Sequence, residues 1–152
     1  MKKVLGLGNA LTDILLQVSE DDLRELGLPK GSMNLISMEQ AEQIQMRFAS
    51  VRKRMVAGGS AANAIATIAS LGGKAAFIGK IGNDEVGDFY REDMVKNGVK
   101  PLLLSSESQM SGCSIVFITP DGERTFATYL GAAADMTADD IRKEAFIGYD
   151  IF

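Results

Sequence analysis

Ala57-Gly58-Gly59-Ser60-Ala61-Ala62-Asn63 runs straight into Ala64-Ile65-Ala66-Thr67-Ile68-Ala69-Ser70-Leu71 and stops at Gly72-Gly73. Two adjacent glycines let the backbone turn sharply and let another group approach it with no Cβ in the way. Ser60 then reads as the N-cap of a helix whose apolar positions Ala61, Ile65, Ile68 and Leu71 recur every three or four residues, and Gly72 and Gly73 end it. The first turn of such a helix offers unpaired N–H groups, and Asn63, one turn in, presents both a carbonyl and an amide. The turn can hold hydroxyl groups. Taken alone, a diglycine reads first as a loop and cap that pack an Ala-rich helix closely on a sheet.

The segments around it alternate. Val4 to Gly8 is a short apolar run bounded by glycine, which predicts a buried parallel strand. After the diglycine helix, Ala75 to Gly82 predicts a second one. Asn83 or Asp84 then caps a helix to about Asn97, with Val86, Phe89, Tyr90 and Met94 inward and Gly98 closing it. Strand, helix, strand, helix in this order predicts a parallel α/β sheet. Between these lie a short capped helix (Ser19 with Asp22) and a capping box (Ser37 with Gln40) opening a helix that turns Ala41, Ile44 and Phe48 inward. Arg52-Lys53-Arg54, before Val56, reads as a solvated edge. Ser114 to Thr119 and Arg124 to Leu130 flank Pro120-Asp121-Gly122 and predict a β-hairpin. With strand-like pieces at Ile14 to Val18 and Met33 to Ser37, the hairpin predicts a small second sheet. Thr137 with Asp140 opens a last helix, with Met136 set to staple against Ile141, and Tyr149 to Phe152 starts what reads as another buried strand.

Several chemistries are excluded or disfavoured. The 152 residues include no histidine and a single cysteine, Cys113. That removes an intramolecular disulfide, imidazole bases and His-containing metal sites, and leaves Cys113 as a small buried apolar residue. A net charge of −4, with scattered Lys and Arg, argues against a nucleic-acid or anionic-membrane footprint and for a neutral or weakly charged ligand. No signal-peptide core or membrane-length apolar run is present, so the expected location is cytoplasmic. Gly6-Leu7-Gly8 is not a dinucleotide fingerprint, because Leu11 stands where the third glycine belongs. Gly79-Lys80 is not a P-loop end, because Ile81 replaces the Ser or Thr that would meet magnesium. Asp13 stands at the mouth of the first strand, where open α/β sheets bind ligands, and a carboxylate can accept from two vicinal hydroxyls, as on a sugar or ribose. A turn-capping Asp is the alternative.

These motifs together resemble the PfkB family of carbohydrate kinases, the ribokinase-like enzymes that include adenosine kinases. The resemblance runs from Gly6-Leu7-Gly8-Asn9 and Asp13, through the diglycine and Gly79-Lys80-Ile81-Gly82-Asn83-Asp84 with Gly87, to Asp121-Gly122-Glu123-Arg124. It implies a ribokinase-like fold over residues 1–152: a mostly parallel Rossmann-like sheet flanked by helices, with a β-sheet lid from about 14–18, 33–37 and 111–130. It implies that Asp13, Gly58, Gly59 and Asn63 hold the acceptor, with Asn9 and Ser60 beside them and Arg124 and Ala132 at the lid or rim. The intact enzyme would use ATP and Mg to phosphorylate a primary hydroxyl of a sugar or nucleoside, and in some members the lid pairs two copies. Ile65, where many sugar kinases carry a small residue, looks more like adenosine kinases.

The family's second signature, a pattern like D-T-x-G-A-G-D that supplies the catalytic base, anion hole and ATP pocket, is not found. Gly131-Ala132-Ala133-Ala134-Asp135 comes nearest but lacks the leading Asp and the second glycine. The expectation is therefore an acceptor-binding N-terminal part, inactive alone, with no catalytic, cofactor or metal residue in this chain. The alternative is a half-length, non-catalytic sugar- or nucleoside-binding or assembly module.

Overall fold

A computed structural model describes residues 2–152. Its parallel core is three strands in the order β1 (Lys3–Leu7), β5 (Lys74–Gly82), β6 (Val99–Ser106). The central β5 is buried almost end to end, as a strand covered on both faces must be. Helices α3 (Ser60–Ser70) and α4 (Glu85–Lys96) cover one face, enclosing Ile65, Phe77, Tyr90 and Met94. On the other face Leu5, Ala76 and Ile78 pack under Met136, Ile141, Ala145 and Tyr149.

Between β1 and α3, and again after β6, the chain builds a five-stranded sheet. Its strands are β2 (Leu11–Gln17), β3 (Met33–Leu35), β4 (Lys53–Gly58), β7 (Gly112–Ile118) and β8 (Arg124–Tyr129), ordered β3-β8-β7-β2-β4. The expected hairpin is β7–β8, turning through Gly122 at φ +85°. One face is sealed by α1 (Glu20–Glu25) and α2 (Met38–Arg47), which bring Leu23, Ile44 and Phe48 onto Leu16, Ile115 and Phe117. Burying a ring such as Phe117 stabilises by about 1.5–3 kcal/mol. Both capping boxes form, and Asp84, not Asn83, caps α4 through the Gly87 N–H.

Four expectations are corrected. The second sheet is larger than predicted, because the basic run 52–54 leads into β4, a true edge strand whose Val56 is only half-buried. Ser60 is not the cap of α3: Gly59 occupies that position and Ser60, the first helical residue, makes no capping bond. The last helix is instead a series of short 3-10 turns over Gly131–Asp135, Ala138–Asp140 and Lys143–Phe146. The Thr137/Asp140 capping box is present, but Ile141 is extended, and Lys80 draws the Asp140 carboxylate toward β5 at 3.1 Å. The final segment makes one parallel bridge, Ile151 to Val4, and leaves Phe152 72% exposed, so it is not a buried strand.

Candidate acceptor site

Strand register aligns side chains across the open face of the second sheet. One row crosses all five strands as Val56, Asp13, Ser114, Thr128 and Leu35, and the next as Arg54, Leu15, Val116, Phe126 and Met33. Partners directly opposite share a face. The first row is polar at its centre, where Ser114 Oγ and Thr128 Oγ1 lie 2.8 Å apart. The second is apolar there.

Asp13 is half-buried in that polar row. Burial pushes its carboxyl above the ordinary range, the Arg124 charge pulls it partly back, and no hydrogen bond contributes. Other half-buried aspartates are occupied: Asp84 accepts from Gly87 and Ser111, and Asp93 from Ala57. Gly58 lies against Asp13, so a Cβ there would meet the carboxylate oxygens at 2.8 and 3.0 Å. Only glycine leaves this carboxylate where it is. Gly59 takes φ +97°, and a Cβ on it would strike the Asn9 carbonyl, which explains why the pair is Gly-Gly. The turn thus joins the end of β4 to the start of α3 and packs on Asn9, just past the end of β1, at the carboxyl end of the parallel strands where such sheets bind ligands.

Asn9, Asp13, Gly58, Gly59 and Ser60 are therefore brought together. Asn63 follows one turn in, its backbone N–H given to the Gly59 carbonyl at 2.9 Å and its side chain exposed. Arg124 shares the open face, exposed and without an ion pair among the described residues, and reaches Asp13 only through its charge. Ala132 is fully buried, and its N–H is given to Met110 O at 2.8 Å, so it can serve only as wall. Ile65 is core. It fills the space left by Gly6 and packs with Phe77, so it carries no direct information about the acceptor. Cys113 is buried as expected, its thiol pushed up to about 11 by burial and then by Asp84.

Two residues behind the site were not among the sequence candidates. The Tyr90 hydroxyl donates to Gly58 O at 3.1 Å, and Asp93 accepts the Ala57 N–H at 3.0 Å. Burial, then Asp13 and Asp93, hold the Tyr90 phenol far above its usual range. The available signal was a tyrosine in an apolar stripe, since a buried hydroxyl needs a partner.

Among the described residues no group of three or more His, Cys, Asp or Glu is placed to hold a metal, and Lys80 donates to Asp135 O and Asp140. Among the described residues no helix is long and apolar enough to cross a membrane.

A parallel core joined to a β-sheet with an open, carboxylate-bearing face is the architecture of the ribokinase-like kinases. The structure superposes on adenosine kinase from Sinorhizobium meliloti with a TM-score of 0.81 and 35% identity, covering 95% of this chain and 44% of that one. It also superposes on Anopheles gambiae adenosine kinase in complex with P1,P4-di(adenosine-5) tetraphosphate, with a TM-score of 0.85, 26% identity and the same coverages. Residues 31–148 match the model of the pfkB family carbohydrate kinases, and the chain belongs to that family. Among curated relatives it is 37% identical over 95 residues to the probable fructokinase-5 of Arabidopsis thaliana, covering 62% of this chain and 28% of the relative. It is 39% identical over 79 residues to the aminoimidazole riboside kinase of Salmonella typhimurium, covering 51% and 25%. The chain thus spans about a quarter of those two relatives and under half of the solved structures.

Proposed function

We propose that this chain is the acceptor-binding part of an ATP-dependent kinase that phosphorylates a primary hydroxyl of a sugar or nucleoside. The observation that carries the proposal is the half-buried Asp13 carboxylate that no donor among the described residues satisfies, set against a glycine backbone. A half-buried carboxylate without donors is costly unless a ligand supplies them. Two vicinal hydroxyls would do so, with Asn9, Gly58, Gly59, Ser60 and Asn63 around them and Leu15, Val116 and Phe126 beneath the ring or base. Arg124 closes the rim, and Ala132 backs it.

The second sheet acts as the lid, excluding water from the transferring phosphoryl group. ATP and Mg bind to residues beyond this span, so no step of the transfer is assigned to these side chains. The fructokinase, riboside kinase and adenosine kinase relatives bracket the acceptor class. Exposed Met33 and Leu35 on edge strand β3 are where two lids would pair; sedimentation showing only monomer removes that part. The central test is ADP release by the full protein across a panel of ribose, fructose, adenosine and other nucleosides. Release with one member supports the reading, and release with none overturns it.

A further inference from the structure

The Gly82-Asn83-Asp84-x-x-Gly87 motif does not touch the open face, yet its atoms are locked. Asp84 accepts from Gly87 N at 2.8 Å with one carboxylate oxygen and from Ser111 N at 2.7 Å with the other. Ser111 Oγ in turn accepts from Gly82 N at 2.9 Å. There is no room for a side chain: a Cβ on Gly82 would meet Gln109 O at 2.6 Å, and one on Gly87 would meet Gly82 O at 2.5 Å and Ser111 Oγ at 2.7 Å. Ser111 is where the chain leaves the core sheet for β7, and β7 sets Ser114 beside Asp13. Further along the same helix, Tyr90 and Asp93 grip Gly58 O and Ala57 N, where the chain returns from β4 to the core. One helix therefore holds two separate backbone crossings between the sheets, one on each side of Asp13's strand.

We infer that α4 is the strut that sets the second sheet's orientation on the core, and that Asp84, Tyr90 and Asp93 are positioning residues for Asp13. The inference rests on the reading of Asp13 as the acceptor's ligand. It goes beyond that reading by naming what holds Asp13 in place. None of the three residues touches the acceptor. Each acts through a main-chain atom: Asp84 through Ser111 N, Tyr90 through Gly58 O and Asp93 through Ala57 N.

The test uses two near-isosteric variants of the full protein. Tyr90→Phe keeps the ring that packs on Phe77 and removes only the bond to Gly58 O. Asp84→Asn keeps an acceptor for the α4 cap but must give up either that bond or the one to Ser111 N. Each should raise the acceptor KM about three- to tenfold, the worth of one lost hydrogen bond, with the ATP KM nearly unchanged and the melting temperature lowered by only the few degrees one hydrogen bond is worth. In Tyr90→Phe, a carbonyl-detected NMR titration should show the Asp13 carboxyl moving down toward its ordinary range as the sheet loosens and water reaches it. The inference is overturned if the acceptor KM stays put, or if both KM values shift together with a fall in melting temperature. The titration needs no turnover. If the full protein phosphorylates nothing, the functional reading fails, while an unmoved Asp13 titration still overturns the strut and a lowered one still supports it.

Discussion

Replacing Asp13 by Asn should move stability and binding in opposite directions. The side chain keeps its shape, loses its charge and exchanges one acceptor for a donor. Two hydroxyls on the carboxylate are worth about 1.5–3 kcal/mol each, whereas Asn retains one neutral bond of about 1 kcal/mol. Acceptor affinity should therefore fall by about 2–5 kcal/mol, or about 30- to 5000-fold in Kd.

Folding should respond the other way. Burial raises the Asp13 pKa above its unfolded value, so the ionised group opposes the native state. That opposition is absent below the unfolded pKa and complete above the folded one. Asp13→Asn should thus leave stability nearly unchanged in acid and raise it at neutral pH. Titration calorimetry of the full protein with its acceptor, and thermal unfolding at pH 3.5 and 7 (values chosen to lie roughly on either side of the transition), check both arms. An acceptor Kd within about twofold of the parent, or a lower melting temperature at pH 7, would refute the reasoning.

Gly59→Ala should destabilise by about 1–3 kcal/mol, because φ +97° and the Asn9 carbonyl both oppose a Cβ; urea unfolding measures it, and an unchanged midpoint would contradict the geometry. Thr12→Val should stabilise by about 1 kcal/mol, since Thr12 is 1% exposed and its Oγ1 has no partner among the described residues. A lower melting temperature there would mean that the hydroxyl is satisfied. Ile65→Val should cost about 0.5–1.5 kcal/mol of stability and leave acceptor affinity unmoved, as befits core; a changed substrate preference would restore Ile65 to the site.

Much of this molecule could be read from residue patterns wherever a local rule decides the outcome. The capping boxes at Ser19 and Ser37, the hairpin turn at Asp121-Gly122 and the apolar run Ala75–Gly79 of β5 all follow from chemistry within a few residues. Strand β4 did not, because Lys53 and Arg54 are tolerated only on an edge exposed to water, and neighbours decide which strand is an edge. Strand β6 carries Pro101, which an edge position also tolerates. Ser60 looked like a cap because serine caps well, yet the close approach of Asn9 O requires glycine at that position. At the site, Asp13 and the diglycine were legible as residue types. That Asp13 has no donor among the described residues, and that Tyr90 and Asp93 stand behind Gly58 and Ala57, are facts of long-range placement no local pattern carries.

The place of β2 in its sheet has a consequence for synthesis. It lies between β4, made about forty residues later, and β7, made about a hundred residues later. As the chain leaves the ribosome β2 gains its antiparallel neighbour first, and its other edge stays unpaired until residues 112–118 emerge. Exposed strand edges recruit other chains, and contacts this distant in sequence form slowly. The strand that carries Asp13 is thus a part of the nascent protein open to mispairing, and slowing elongation between residues 58 and 112 should lower the soluble yield more than slowing it after residue 130.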